Sequence, residues 1–510
     1  MAIILNQFLE SLHAPFLWAV TAVLLFLITT STKGAKKLKL PPSPPGLPII
    51  GNLHQLGRLP HHALRDIARK HGPIVYLRLG HARAVVASST EAASQFLKTH
   101  DRIFAGRPQF DAGELMAYGS RDITFSNYGP HWRNIKKICA IKLFSARKID
   151  SLRWLRKEEV ALLLQSIGDS ARLREPVNVA SAIASLNTGM MCRILFGSKL
   201  EEGSMLRSAV REALKLAGAF NLGDYFPVIR GLDIQGLRRR MKEVHGMMDA
   251  FLDRKIEERI GSDVGPETMT QQDGDFIDVL LAELVDGGAD SPLDCMAVKA
   301  IIVDMLVGGI DSGTVIMEWI LSELMKKPQS MKKLQNEIES VVGLDRMVDE
   351  SDLPKLGYLD MVVKEGFRLH PPGPLLVPHL AVEDSVIMGY DIPKNTHVMV
   401  NVWAIGRDPK YWADPEEFYP ERFMDSNVDI SGTDLRVIPF GSGRRLCPGV
   451  YMGMMVVRLV IAQMVHCFDW ELPNGMSPED LDMEEEYGLT VFRKNSLVAV
   501  PTHRLRGDVA

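Results

Sequence analysis

Cysteine is scarce and scattered. Five occur in 510 residues, at Cys139, Cys192, Cys295, Cys447 and Cys467. An odd count without a CxxC pair excludes a disulfide scaffold and a zinc ribbon, and fits a reducing compartment. A basic excess is also missing. Lys and Arg number 59 against 63 Asp and Glu, a net charge of −4, so nucleic acid is not expected as a partner. No internal repeat or low-complexity block follows residue 52, and no flavin or nicotinamide domain is present. Charged residues make up 24% and apolar residues 46%, which excludes a disordered chain, a collagen and a multi-span transporter. The length alone would allow about three domains, or one large one.

One long apolar run is present. Residues 12–30 carry His13 as their only ionisable side chain and Trp18 as an interface candidate. About 19 helical residues rise roughly 28 Å, close to a thin bilayer core. Lys33, Lys36, Lys37 and Lys39 follow, and the positive-inside rule keeps them cytosolic. Glu10, with no Lys or Arg before the run, speaks against a cleaved signal peptide. Pro41, Pro42, Pro44, Pro45, Gly46 and Pro48 then favour a stiff extended strut. The expected organisation is a membrane anchor at 1–32 with its span at about 12–30, a basic and proline-rich hinge at 33–52, and one catalytic domain at 53–510.

That domain reads as mainly α with small β-sheets, an α+β fold. Helices are predicted at 297–325, 329–342, 355–369 and 450–468, and strands at 74–79, 84–87 and 397–400. Leu334, Ile338 and Val341 repeat at helical spacing between Pro328 and Gly343. Residues 261–275 read as a loop.

The informative stretch is 440–449, FGSGRRLCPG. A lone cysteine is usually a small core hydrophobe. Cys447 instead sits among glycines and arginines just before an apolar helix, whose N-terminal N–H groups and positive dipole end stabilise a thiolate. It is placed to be an anionic metal ligand, with glycines allowing close backbone approach to a flat ligand.

Here the sequence resembles the cytochrome P-450 superfamily of haem-thiolate monooxygenases. Their FxxGxRxCxG signature is matched by Phe440, Gly443, Arg445, Cys447 and Gly449. The resemblance implies the cytochrome P-450 fold, haem b with Cys447 as axial iron ligand, and Arg445 on a haem propionate. A thiolate ligand favours O–O cleavage. Glu365 and Arg368 match the family's ExxR, and Arg422 lies in its FYPERF element. These three are implied to form a structural charge network. Trp132 matches the Trp of WxxxR, where Lys136 replaces the Arg and loses its bidentate fork. His379 follows Pro378 as a further propionate candidate, the bland alternative being an ordinary strand-end histidine.

Segment 297–325 resembles the family's oxygen-activating helix, with Gly308, Gly309, Ile310, Asp311, Ser312 and Gly313 over its pattern. Two adjacent helical glycines cost up to about 1 kcal/mol each. They are offset either by a widening beside bound oxygen or by close helix packing. Asp311 and Ser312 are implied to manage proton delivery, with Ser where the family has Thr.

The proline-rich hinge, FYPERF, WAIGRDP and NGMSPEDLDM look most like the plant microsomal clan of specialised metabolism. The implied pocket comprises Phe110, Leu115, Met116, Phe220, Gly308, Leu375, Leu376, Val377 and Leu489, largely apolar. It suits a lipophilic substrate: a biphenyl, a phenylpropanoid or another aromatic, or a terpenoid. Within the implied loops Arg121 is the exception. The implied reaction is NADPH- and O2-dependent hydroxylation. The alternatives are phenol coupling, methylenedioxy-bridge formation, or a non-oxygenating haem isomerase or dehydratase, which would lose the acid–hydroxyl pair. Electrons would come from NADPH-cytochrome P-450 reductase, docked near Arg133, Lys136, Lys137 and Arg444, with cytochrome b5 as a further partner. The implied location is the endoplasmic reticulum membrane, single-pass, in contact with lipid, with the catalytic domain facing the cytosol.

Overall fold

The computed structural model describes residues 38–260, 275–286 and 293–506. The expected span at 12–30, Lys33, Lys36 and Lys37 and most of the 261–275 loop lie outside them. The proline-rich segment is docked on the domain. The Tyr76 N–H donates to the Pro42 carbonyl at 2.9 Å and the Asn52 N–H to the Arg78 carbonyl at 2.7 Å. The Asn52 amide also reaches back to the Pro44 carbonyl at 3.1 Å.

Helix α1 (Pro60–His71) starts on a proline and stops at Gly72, as the fixed φ of Pro and the freedom of Gly dictate. Strands β1 (Ile74–Leu79) and β2 (Ala82–Ala87) form an antiparallel hairpin. Helices α2 (Pro130–Ile138), α3 (Val179–Phe196) and α4 (Gly203–Gly218) follow. The longest is α5 (Cys295–Lys326), opened by the Asp294 side chain, which accepts from the Ala297 N–H at 2.8 Å. Next come α6 (Pro328–Val342), α7 (Gly357–Leu369), β3 (His379–Leu380), β4 (His397–Val400) and α8 (Val450–Cys467). A last hairpin pairs β5 (Glu485–Glu486) with β6 (Phe492–Arg493). The main sheet runs β1-β2-β4-β3, with β4 parallel to β2 and antiparallel to β3. The predicted helices and strands are therefore present, their ends within two or three residues of expectation.

Helix α5 is apolar on most of its circumference, so it is stable only when surrounded. It packs against α3, α4, α7 and α8. Among the described residues α3, α5 and α8 are long and apolar enough to cross a bilayer. All three are mostly buried inside the domain, which places that apolarity in the core.

The adjacent glycines of α5 do different jobs. A Cβ on Gly309 would lie 2.4 Å from the Met191 sulfur of α3, whereas one on Gly308 would meet nothing within 4 Å. Close helix packing therefore explains Gly309 and an open cavity explains Gly308. Gly309→Ala should destabilise by about 1–3 kcal/mol through overpacking. Gly308→Ala should stabilise by up to about 1 kcal/mol through helix propensity. Opposite shifts of the thermal midpoint at neighbouring positions check this.

Candidate active site

The loop before α8 turns back on itself. The Cys447 N–H donates to the Phe440 carbonyl at 3.0 Å and the Leu446 N–H to the Gly443 carbonyl at 3.1 Å. Gly443 has φ +67°, and a Cβ there would stand 1.9 Å from the Leu97 carbonyl oxygen. No other residue fits that crossing. Cys447 ends three residues before α8, its sulfur hydrogen-bonded by the Gly449 N–H. Burial pushes the thiol up, while that N–H and the Lys136 charge pull it down. None of the five cysteines is disulfide-bonded.

Above Cys447 lies a cavity bounded by Gly308 and Ser312 of α5, by Leu376 and Val377, by Leu489 and Thr490, and by Met116 and Phe125. Phe440 lines it too, its ring 5.1 Å from Phe367 of α7. One end is cationic. Arg445 donates to the carbonyls of Ala105 (2.7 Å), Ile123 (3.1 Å) and Ser126 (2.6 Å), and its guanidinium lies 4.3 Å from the Trp132 ring centroid. Burial lowers its pKa to about 10. The Trp132 indole N–H donates to the Ile123 carbonyl at 2.9 Å. The His379 Nδ1 bonds the Phe104 carbonyl at 2.8 Å. Burial, with Arg107 and Arg445 nearby, holds that imidazole well below its usual pKa.

Sequence reading did not single out Arg107, Asp122 or Asp304, which line the same end. Arg107 is buried and donates to the carbonyls of Thr124 (2.8 Å), Val377 (2.6 Å) and Pro378 (2.9 Å). The Asp304 carboxylate on α5 accepts the N–H groups of Ile123 (2.6 Å) and Thr124 (3.1 Å), and Asp122 accepts those of Phe125 (2.9 Å) and Ser126 (3.1 Å). Burial raises both acids, and the Asp304 charge raises Asp122 further, whereas the hydrogen bonds of Asp304 pull it back down. Segment 122–126 is thus a hub, its N–H groups held by two acids and its carbonyls by Arg107, Trp132 and Arg445. Asp304→Ala would strand two N–H groups, at roughly 1–3 kcal/mol each. A lower thermal midpoint together with faster haem loss to apomyoglobin is the expected outcome.

The remaining predicted residues divide. Lys136 does not line the cavity wall. Its ammonium is tucked under the cysteine loop, donating to the Arg444 carbonyl and, at 3.3 Å, to that of Leu446. Burial beside Arg445 lowers its pKa to about 8. Ser312 faces the cavity and donates to the Gly308 carbonyl at 2.6 Å. Asp311, on the next face of α5, is buried with Oδ2 unpartnered. Burial raises its pKa to about 6, against the charges of Arg211 and Lys215. Among the pocket candidates, Met116, Gly308, Leu376, Val377 and Leu489 line the cavity. Phe110, Phe220 and Leu375 line a neighbouring groove of about 1000 Å³ that shares Leu376, Val377 and Leu489 with it. Leu115 lines neither and packs with a small apolar cluster around Met116 and Leu216. Arg121 is half exposed and pairs with Asp294, away from the cavity.

On α7, Glu365 accepts two bonds from Arg368 (2.6 and 2.8 Å), one from Arg422 (2.9 Å) and one from the Tyr419 N–H (2.8 Å). Arg368 spends its other donors on the carbonyls of Gly406, Pro415 and Glu417. Glu365 and Arg368 are fully buried.

The family profile for cytochrome P450 matches residues 41–499. The chain belongs to the cytochrome P450 family. Cytochrome P450 CYP736A12 of Panax ginseng is 47% identical over 92% of this chain and 94% of its own length. Flavonoid 3'-monooxygenase CYP75B137 of Crocosmia x crocosmiiflora is 41% identical over 96% and 98%. Desmethyl-deoxy-podophyllotoxin synthase of Sinopodophyllum hexandrum is 40% identical over 97% and 98%. As a cytochrome P450 monooxygenase the protein uses haem, O2 and electrons from NADPH delivered by a reductase. The cavity fits that group. The half-buried Cys447 sulfur faces open space, a Cβ on Gly308 would enter that space, and Arg107 and Arg445 gather positive charge, with the neutral His379 imidazole beside them, where a flat dianionic ligand needs it.

Proposed function

We propose that this P450 hydroxylates a neutral, lipophilic plant specialised metabolite, an aromatic such as a biphenyl or phenylpropanoid, or a terpenoid. The observation that carries the reading is the apolar cavity over the Cys447 sulfur, with its cationic groups confined to one end and engaged with backbone carbonyls. An organic acid would find no free cation among Met116, Phe125, Leu376, Val377 and Leu489 at the other end.

Cys447 would hold the haem iron, and Arg445, Trp132 and His379, with Arg107, would frame the propionates. Haem bound there supplies insertion of one oxygen atom: R–H, O2, NADPH and H+ give R–OH, H2O and NADP+. Ser312 presents a hydroxyl to the cavity and Asp311 is a buried acid one residue away, so the pair passes protons inward. Glu365, Arg368 and Arg422 are a structural charge network that braces α7. The acid–hydroxyl pair favours oxygenation over isomerase or dehydratase chemistry.

The chain is anchored by residues 12–30 in the endoplasmic reticulum membrane, the domain facing the cytosol, where lipid delivers the substrate. The reductase, and cytochrome b5 in its turn, docks on the exposed Arg133, Lys137 and Arg444 near the cysteine loop. Reduction by the reductase should slow several-fold between 50 and 300 mM salt. A salt-independent rate measured by stopped flow would rule this docking out.

The test of the function is co-expression with a plant reductase in microsomes. A thiolate-type ferrous carbonyl spectrum and a hydroxylated product from a neutral phenolic or terpenoid pool are expected. Turnover confined to free organic acids would overturn the substrate class.

A further inference from the structure

Away from the haem pocket, two consecutive histidines at the start of α1 converge on one carboxylate. His61 and His62 each place Nε2 2.8 Å from the same Oε2 of Glu485. The three donor atoms all lie within 4.8 Å of one another. Consecutive helical side chains normally diverge by about 100°. Here the imidazoles meet edge to face at 4.5 Å, and Trp403 stacks on His62 at 4.0 Å. The surrounding charges single out this carboxylate. Glu484 pairs with Lys494 and Glu486 with Lys215, whereas the ion pairs of Glu485 among the described residues are with the two histidines alone.

Two imidazole nitrogens and one carboxylate oxygen are the donor set of open zinc sites, and imidazole selects the later first-row cations. We propose that His61, His62 and Glu485 form a divalent-cation site, for zinc, with water completing the coordination. The ion reaches it from the groove beside the haem cavity, which His62 and Glu485 line. The His62 side chain is 38% exposed and that of Glu485 11%, while His61 is fully buried. The affinity is modest. The His61 Nδ1 is buried without a partner, and a zinc-bound imidazole lacking a partner for its other N–H binds roughly 10–100-fold more weakly. Glu485 lies at the base of the β5–β6 hairpin, whose tip carries Leu489 and Thr490 into the haem cavity. A cation there ties that hairpin to α1.

Haem-loaded full-length enzyme, freed of metal with a chelator, is titrated with zinc chloride by calorimetry. One saturable site per chain is expected. His62→Ala and Glu485→Gln should each weaken it at least ~10-fold, and Glu484→Gln should leave it unchanged. Zinc-edge X-ray absorption of the one-to-one complex should show nitrogen and oxygen neighbours with two imidazoles. Absence of a saturable site, wild-type affinity in His62→Ala and Glu485→Gln, or sulfur in the first coordination sphere would each overturn the site. Retention of the haem spectrum in His62→Ala separates lost binding from misfolding.

Discussion

Glu365→Gln should yield protein that retains little haem and melts far below the wild type. The carboxylate compensates two guanidiniums, one of them fully buried. Removing one partner of a buried charge network costs roughly 3–5 kcal/mol, a large share of a total stability of about 5–15 kcal/mol. The glutamine oxygen can still accept, but its NH2 turns a second donor toward Arg368, and the charges of Arg368 and Arg422 are left unopposed. Arg422→Lys should be milder. It keeps a charge near Glu365 and gives up bonds to the carbonyls of Ala413, Asp414 and Glu417 at the protein surface. Ferrous carbonyl content per chain and denaturant midpoints check both. A Glu365→Gln protein of normal haem content and stability would remove the bracing role.

Asp311→Asn should gain stability at pH 7.5 while losing about 100-fold in turnover, the scale of a positioned general acid. Burial raises the Asp311 pKa from 3.8 to about 6. A raised carboxyl means that the fold binds the proton more tightly than the unfolded chain does. The stability it contributes is present at low pH and is lost as pH rises from about 3.8 through 6. At pH 7.5 the wild type therefore carries a buried, ionised carboxylate that asparagine lacks, a difference of roughly 1–3 kcal/mol. In the wild type, product formed per NADPH consumed should fall as pH rises through about 6, and the variant's profile should be flat over that range. A destabilised variant with an unchanged pH profile would make Asp311 a structural residue. Ser312→Ala should raise peroxide leakage; unchanged leakage and turnover would remove the hydroxyl from the relay.

The cysteine loop was legible because its constraints are local. A glycine at positive φ, a turn bond from Leu446 to Gly443 and a helix starting three residues after Cys447 all depend on near neighbours. The same holds for α5 to α8, whose caps and apolar stripes lie within one segment. Asp304 gave no such signal. A single Asp in a long apolar helix looks like an interruption until the N–H groups of Ile123 and Thr124, some 180 residues upstream in sequence, are laid against it. Arg107 was equally silent, because its acceptors at Val377 and Pro378 are about 270 residues away.

Local spacing is enough for the cysteine loop, the helical character of the domain and the presence of an acid–hydroxyl pair, since each is written in intervals of a few residues. The tertiary structure alone decided which glycine of α5 faces the cavity, which apolar candidates line it and which line the groove beside it, and that Lys136 serves backbone carbonyls of the cysteine loop. Those outcomes rest on which distant segments meet. Burial and partnership are properties of such meetings, and no local pattern of residues encodes them.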